Sequence, residues 1–468
     1  MSTPPLASGP EGPLALRPLL DTVLQALDDG TRARGGPLPA GGPDVVAARL
    51  REAVGEALPD QGDPHALRTL VRAFAEGAAD PAHPLCAAHL HCPPLALAAA
   101  ADLAASVLNP SLDSWDQAPA ASELETLVAR ALATEIYGAG ADAGTGPDSL
   151  ITTGGTESNQ LALLLAREAY GGSVRLVCGE NAHHSLARAA WLLGLPEPVV
   201  VPAPAGTLHP AALDEALSRL PGPLLVAATA GTTDAGLIDP LPEIAARCAA
   251  HRARLHIDAA YGGGLLFSGR HRARLAGLDA ADTVTLDLHK LGWQPVAAGL
   301  LAVKNPRDLT ALRHRADYLN ATDDTEAGLP DLLGRSLRTT RRPDVLKLAV
   351  TLKTLGRDGL GTLVDQVCAR ARDFAALVAE HPGFELHAPP VISTVLFRPA
   401  GAGDATVSAV RRALLTDGRA VLGRARLGGR LWLKATLLNP ATGPDDLAAL
   451  LHLVTARQAT LVEGHTPR

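Results

Sequence analysis

Aromatic residues are scarce in this chain: 3% of 468 residues, with five Phe, four Tyr and four Trp. A core must therefore be filled by Ala, Leu and Val, and alanine with leucine at helical spacing favours substantial helix. Cysteine is sparse as well. The five thiols, Cys86, Cys92, Cys178, Cys248 and Cys368, are odd in number and scattered, which argues against a disulfide framework and suits a reducing cytoplasm. No charge of one sign dominates. A net charge of −7 with acids and bases interspersed argues against a nucleic-acid partner or an anionic-membrane patch. No uninterrupted apolar run reaches membrane-spanning length, and the first residues lack a basic stretch followed by an apolar one, so no signal peptide is expected. His83, Cys86, His89, His91 and Cys92 crowd together, yet they lack the paired spacing of a closed zinc site, so no metal is expected.

What is present is length, and with it organisation. A chain of 468 residues exceeds one compact unit. Residues 1–94 read as a helical segment with helices near Leu14–Leu27, Asp44–Leu58 and Pro64–Ala78, joined by a Gly/Pro-rich connector over Gly30–Gly42. This segment shows no core of its own and is expected to pack on a second subunit. Over 95–356 the pattern changes to short apolar runs between helices. Strands are predicted at Ser149–Thr152, Val174–Val177, Pro198–Val201, Leu224–Ala228, Leu255–Ile257, Thr283–Leu286 and Gly299–Val303. That alternation predicts an α/β domain with a mainly parallel central sheet and helices on both faces. Residues 357–468 read as a smaller α+β domain.

The polar residues with chemical promise follow strand ends, where ligands of such sheets sit. Asp287-Leu288-His289-Lys290 follows the run Thr283–Leu286, and Asp258 closes the run His256-Ile257. A lysine amine can form a Schiff base with the aldehyde of pyridoxal 5'-phosphate (PLP). A buried carboxylate can hold that cofactor's pyridine nitrogen protonated, and without a cationic partner it would cost several kcal/mol. Ile151-Thr-Thr-Gly-Gly-Thr-Glu-Ser-Asn159 joins a strand to a Leu-rich helix, and Gly154, Gly155 and Thr156 there could receive a phosphate, or simply open a helix. In Asn181-Ala-His-His-Ser185 a histidine could stack on the cofactor ring, or the segment could be an ordinary cap by Asn181 or Ser185. The turn Gly231-Thr232-Thr233 could offer hydroxyls or merely reverse the chain.

Together these motifs resemble the PLP-dependent group II amino-acid decarboxylases, of fold type I. The likeness is strongest to the bacterial diaminobutyrate decarboxylase-like branch, and three longer stretches support it: 109–125, 334–342 and 433–440. The resemblance implies a homodimer that releases CO2 and an amine from an amino acid, with PLP as cofactor. It implies that Lys290 is the Schiff-base lysine, Asp258 the pyridinium partner and His183 the ring-stacking histidine. Gly155, Thr156, Thr233, Asp287 and His289 would contact the phosphate or nearby cofactor atoms, and Ala260 would pack against the ring. Cys92 would line the substrate entrance and Lys434 would meet a substrate carboxylate. In one respect the chain departs from the family. The loop Leu319–Gly334 contains no tyrosine, and Leu329 stands where the proton-donating tyrosine is expected. Oxidation to an aldehyde, transamination, or a homologue that binds PLP without turnover are the alternatives this leaves.

Overall fold

Short apolar runs can bury both faces only when they lie side by side with helices above and below. The computed structural model, which describes residues 4–139, 146–314 and 316–463, has that arrangement. Among the described residues there are twelve strands: Cys86–Ala87 (β1), Asp148–Thr152 (β2), Arg175–Gly179 (β3), Val199–Val201 (β4), Leu224–Thr229 (β5), Arg254–Asp258 (β6), Thr283–Asp287 (β7), Gly299–Val303 (β8), Phe384–Leu386 (β9), Thr394–Pro399 (β10), Val421–Leu427 (β11) and Arg430–Thr436 (β12). They make two sheets, ordered β2-β8-β7-β6-β5-β3-β4 and β1-β11-β12-β10-β9.

The chain divides into two compact units. One is Pro94–Ala369 with Pro390–Ser393; the other runs up to Pro93 and takes in Arg370–Pro389 and the residues from Thr394 onward.

The larger unit holds the seven-stranded sheet. Only β8 runs against its neighbours, pairing antiparallel with both β2 and β7, while β3 to β7 pair in parallel. Every residue of β5, β7 and β8 is buried, as expected for strands covered on both faces rather than one. The helix Gly155–Ala169 illustrates the packing. Its Leu161 and Leu165 join Leu150, Leu301 and Val303 in one cluster, while Leu163 joins Leu176, Leu186 and Leu225 in another. Each such leucine contributes about 1.5–3 kcal/mol on burial, so the start of this helix is held rigidly at the sheet's carboxyl edge.

Two of the stretches that carried the resemblance meet inside this unit. Arg341 donates to both oxygens of Glu125 at 2.7 Å each, with side chains 2% and 0% exposed. Leu112 N donates to Arg341 O at 3.0 Å. A fork of two parallel hydrogen bonds suits guanidinium and carboxylate, and removing one partner strands a buried charge. Glu125→Ala is therefore expected to destabilise the protein by about 3–5 kcal/mol, read as a lowered urea midpoint at unchanged slope. A loss within the range of a solvent-exposed pair, at most about 1 kcal/mol, would show that this contact is not a desolvated one.

In the smaller unit Phe374, Phe397, Leu433 and Val454 belong to one core cluster beneath β9, β10 and β12. Its N-terminal part contains the helices Gly12–Arg34, Gly42–Val54 and Ala66–Gly77. The flexible connector expected from Gly30 begins later than predicted, because the first helix continues to Arg34 with Ala26 and Gly30 buried along it. Small residues there let a neighbouring helix approach closely, which outweighs the helix cost of one glycine. Helix Asp404–Thr416 and strand β11, neither of them expected, complete the unit.

Candidate active site

Asp258 and Asp287 are the last residues of the adjacent strands β6 and β7, so the topology alone brings two carboxylates to one edge of the sheet. Lys290 lies in a single helical turn after β7, Leu288–Leu291. An i,i+3 spacing puts its ammonium over Asp287, and Nζ is 2.8 Å from Asp287 Oδ2. His289 Nε2 lies 3.5 Å from the same oxygen, and His289 Nδ1 accepts from Ala298 N at 3.3 Å. Asp287 Oδ1 is buried without a hydrogen-bond partner. Burial pushes the His289 pKa below its usual value, with the Asp287 charge opposing.

The glycine turn is built against this pair. Gly154 has φ +155°, and a Cβ on it would come within 2.9 Å of His289 Cε1. A Cβ on Gly155 would lie 3.0 Å from Ala260 Cβ and 3.1 Å from Asp287 Oδ2. Side chains are thus excluded where a ligand would meet backbone. Glu157 folds back to accept from Thr153 N at 2.6 Å and Thr153 Oγ1 at 2.7 Å, which pins the turn. The first N–H groups of the helix have no intrahelical partner and, with the dipole, suit an anion. Thr156 is exposed there.

His183 caps the helix His184–Leu192, its own ring accepting from Ser185 N. The cap is therefore neither Asn181 nor Ser185; Asn181 instead donates to Asp239 at 2.8 Å. Burial lowers the His183 pKa, while the Asp258 charge works to raise it. His184 is exposed, 4.1 Å from His183 between ring centroids. Thr233 is exposed on the turn that follows β5, beside the buried Thr232. Leu329 is 38% exposed, after Gly328, which sits at φ +86°. The larger unit thus gathers Lys290, Asp258, His183, Asp287, His289, Gly155 and Ala260. Cys92 and Lys434 are buried in the smaller unit, Lys434 on β12. Among the described residues no group of three or more His, Cys, Asp or Glu is arranged to hold a metal.

Asp258 is 4% exposed and its carboxylate accepts from Ala260 N at 3.1 Å and from Asn159 Nδ2 at 2.8 Å. Both are neutral donors, so the site has negative charge to offer a protonated ring nitrogen. A buried carboxylate, a nearby lysine and a side-chain-free turn at a helix N-terminus fit the three chemically distinct parts of PLP: pyridine nitrogen, aldehyde and phosphate.

Sequence reasoning missed the polar layer beneath these groups. Asn159, Ser185, His256 and Thr285 are all 0% exposed, and Asn159 hydrogen-bonds each of the other three. Burial drives the His256 pKa down to about 4, with the Asp258 charge opposing, so this imidazole is neutral near pH 7. The available signal was periodicity. His256 and Asp258 are two apart on β6, and Thr283 and Thr285 are their register partners on β7, so all four share one face of an otherwise apolar sheet.

The sequence matches the family described as "Pyridoxal-dependent decarboxylase conserved domain" over residues 50–400. It is 41% identical over 421 residues to the L-2,4-diaminobutyrate decarboxylase of Rhizobium meliloti (strain 1021), covering 86% of this chain and 83% of that protein. It is 32% identical over 432 residues to the L-2,4-diaminobutyrate decarboxylase of Acinetobacter baumannii, covering 84% of each. A crystal structure of the glutamate decarboxylase domain of diaminobutyrate-pyruvate transaminase and L-2,4-diaminobutyrate decarboxylase from Vibrio parahaemolyticus superposes with a TM-score of 0.85 at 30% identity, covering 97% of this chain and 98% of that one. With the strand-end carboxylate and lysine, the glycine turn and these likenesses in hand, the chain belongs to the pyridoxal-dependent decarboxylase family and is a PLP-dependent amino-acid carboxy-lyase.

Proposed function

We propose that the substrate is L-2,4-diaminobutyrate, converted to CO2 and 1,3-diaminopropane with uptake of one proton. The observation that carries this reading is the 41% identity, over 86% of the chain, to a relative named for that substrate.

Bound PLP supplies an electron sink, its protonated ring accepting the pair left when the Cα–carboxylate bond breaks. Lys290 Nζ would hold the cofactor covalently through its aldehyde carbon. Asp287, 2.8 Å from Nζ, would hold the Lys290 amine as an ammonium whenever it is free. Asp258 would hold a proton at the ring nitrogen. His183 would pack against the ring. The N-terminal amides at Gly155 and Thr156, with Thr233 and His289, would hold the phosphate, and Ala260 would leave room for the ring. The Leu329 side chain has no dissociable proton, so the proton taken up in the reaction would come from His183 or from water.

We further propose a cytoplasmic homodimer. No helix among the described residues is long and apolar enough to cross a membrane. Leu14, Leu24, Leu58 and Phe74 stand exposed in the N-terminal part, a surplus of apolar surface that suits burial against a second copy.

The test is a panel of L-2,4-diaminobutyrate, ornithine, lysine, aspartate and glutamate, with CO2, amine and aldehyde each measured. Diaminobutyrate is expected to give the highest kcat/KM, with amine equal to CO2. Higher kcat/KM for aspartate or glutamate would overturn the substrate, and aldehyde in place of amine would overturn the protonation step. Light scattering on the same preparation reads the mass, and a monomer at micromolar concentration would overturn the dimer.

A further inference from the structure

We propose that Asn159 is a positioning residue that sets the proton arrangement of the site: through Ser185 it holds His183 in the tautomer protonated at Nε2. The assignment rests on the reading above for why His183 and Asp258 matter, but the hydrogen-bond logic stands without it.

Asp258 Oδ2 is 2.8 Å from the Asn159 amide, and an ionised carboxylate can only accept. The NH2 end of Asn159 must therefore face Asp258, because the opposite orientation would set a carbonyl oxygen against a carboxylate. The second proton of that NH2 points to Ser185 Oγ at 2.9 Å. Ser185 Oγ lies 2.8 Å from His183 Nδ1, and the backbone N–H aimed at that same nitrogen requires it to accept, so the hydroxyl proton goes to Nδ1 as well. Ser185 N also directs its proton at Nδ1, at 3.3 Å. Two donors converge on one ring nitrogen, so Nδ1 presents a lone pair and the imidazole proton sits on Nε2.

The other end of Asn159 follows the same rule. Its Oδ1 accepts from Thr285 Oγ1 at 2.9 Å and faces His256 Nε2 at 3.0 Å. His256 must donate there from Nε2, which leaves its Nδ1 to accept from Thr283 Oγ1 at 2.9 Å. All four hydrogen-bonding positions of the Asn159 amide are filled inside a side chain that is 0% exposed. A fully satisfied buried network has few alternative proton arrangements, since changing one direction leaves a donor facing a donor somewhere along it. His183 consequently presents an N–H, and not a lone pair, from the ring edge away from Ser185.

The test is nitrogen NMR of the full chain labelled with 15N-histidine, recorded with PLP bound and after its removal. Signals are assigned by the losses in His183→Gln and His256→Gln. The expected native result is one protonated nitrogen on each ring, Nε2, with Nδ1 unprotonated and no averaging between tautomers. Ser185→Ala removes the hydroxyl donor and keeps the longer backbone one, so the Nε2-protonated share at His183 should fall while His256 stays unchanged. Asn159→Leu should alter both rings. A proton on Nδ1 of His183 in the native protein would overturn the proposal, as would a His183 spectrum unmoved by Ser185→Ala. Should Asn159→Leu fail to fold, the native spectrum and Ser185→Ala still decide. The spectrum does not depend on substrate. A wrong substrate leaves it untouched, and a wrong tautomer leaves the decarboxylation result untouched.

Discussion

Lys290→Ala is expected to lose covalent PLP entirely and to lower turnover by at least about 10²–10⁴-fold, the scale of a positioned acid–base group, with the loss of the covalent anchor added to it. The chain has five lysines, and their surroundings separate them. Lys304 donates to Asp279 O on the surface, and Lys353 is exposed. Lys347 is wholly buried, bound to Asp102 and Asp344 at 3.2 Å each, where its charge is already compensated. Lys434 is buried on β12. Lys290 alone is half-buried beside the glycine turn, paired with a carboxylate that can receive its ammonium. Borohydride treatment of the loaded enzyme followed by peptide mapping should label Lys290. Label at Lys347 or Lys434 instead would sink the assignment, and so would near-normal turnover in the alanine variant.

The second large effect is expected at Asp258. Asp258→Ala should keep part of its PLP through Lys290 while kcat falls about 10²–10³-fold, the typical cost of removing one preorganised electrostatic partner. Without the carboxylate the ring nitrogen loses the charge that favours its protonated form. The same change leaves Asn159 Nδ2 and Ala260 N without their acceptor, at about 1–3 kcal/mol for each buried donor left unpaired. Thermal midpoint and kcat must therefore be measured together, below the variant's melting range. A variant that is destabilised but retains kcat would assign Asp258 a purely structural part. A loss of kcat in folded, PLP-loaded protein supports the electronic one.

Much of this was legible in the chain itself. The seven apolar runs of the large sheet lie where expected, within one or two residues, because a strand buried on both faces must be continuously apolar and a helix between such strands must not be. Strand ends with Asp258, Asp287 and Lys290 point to a cofactor because charged groups in such apolar surroundings need a partner. The glycines of 154–155 were readable for a similar reason: backbone approach requires that side chains be absent.

Tertiary structure alone decided what lies under and around those residues. His256 looks like any strand residue until β7 is paired beside β6, and only the register Asp258 to Thr285 and His256 to Thr283 makes a polar face of them. Asn159 is four residues into a helix, and which way its side chain points depends on how that helix crosses the sheet. Arg341 and Glu125 are 216 residues apart, and nothing local announces that each is the other's partner. Local pattern determines which elements form and which ends carry charge, because propensity and burial act over a few neighbours. Hydrogen-bond direction, tautomer and ion pairing depend on contacts made across the fold, and these exist only once the layers have closed.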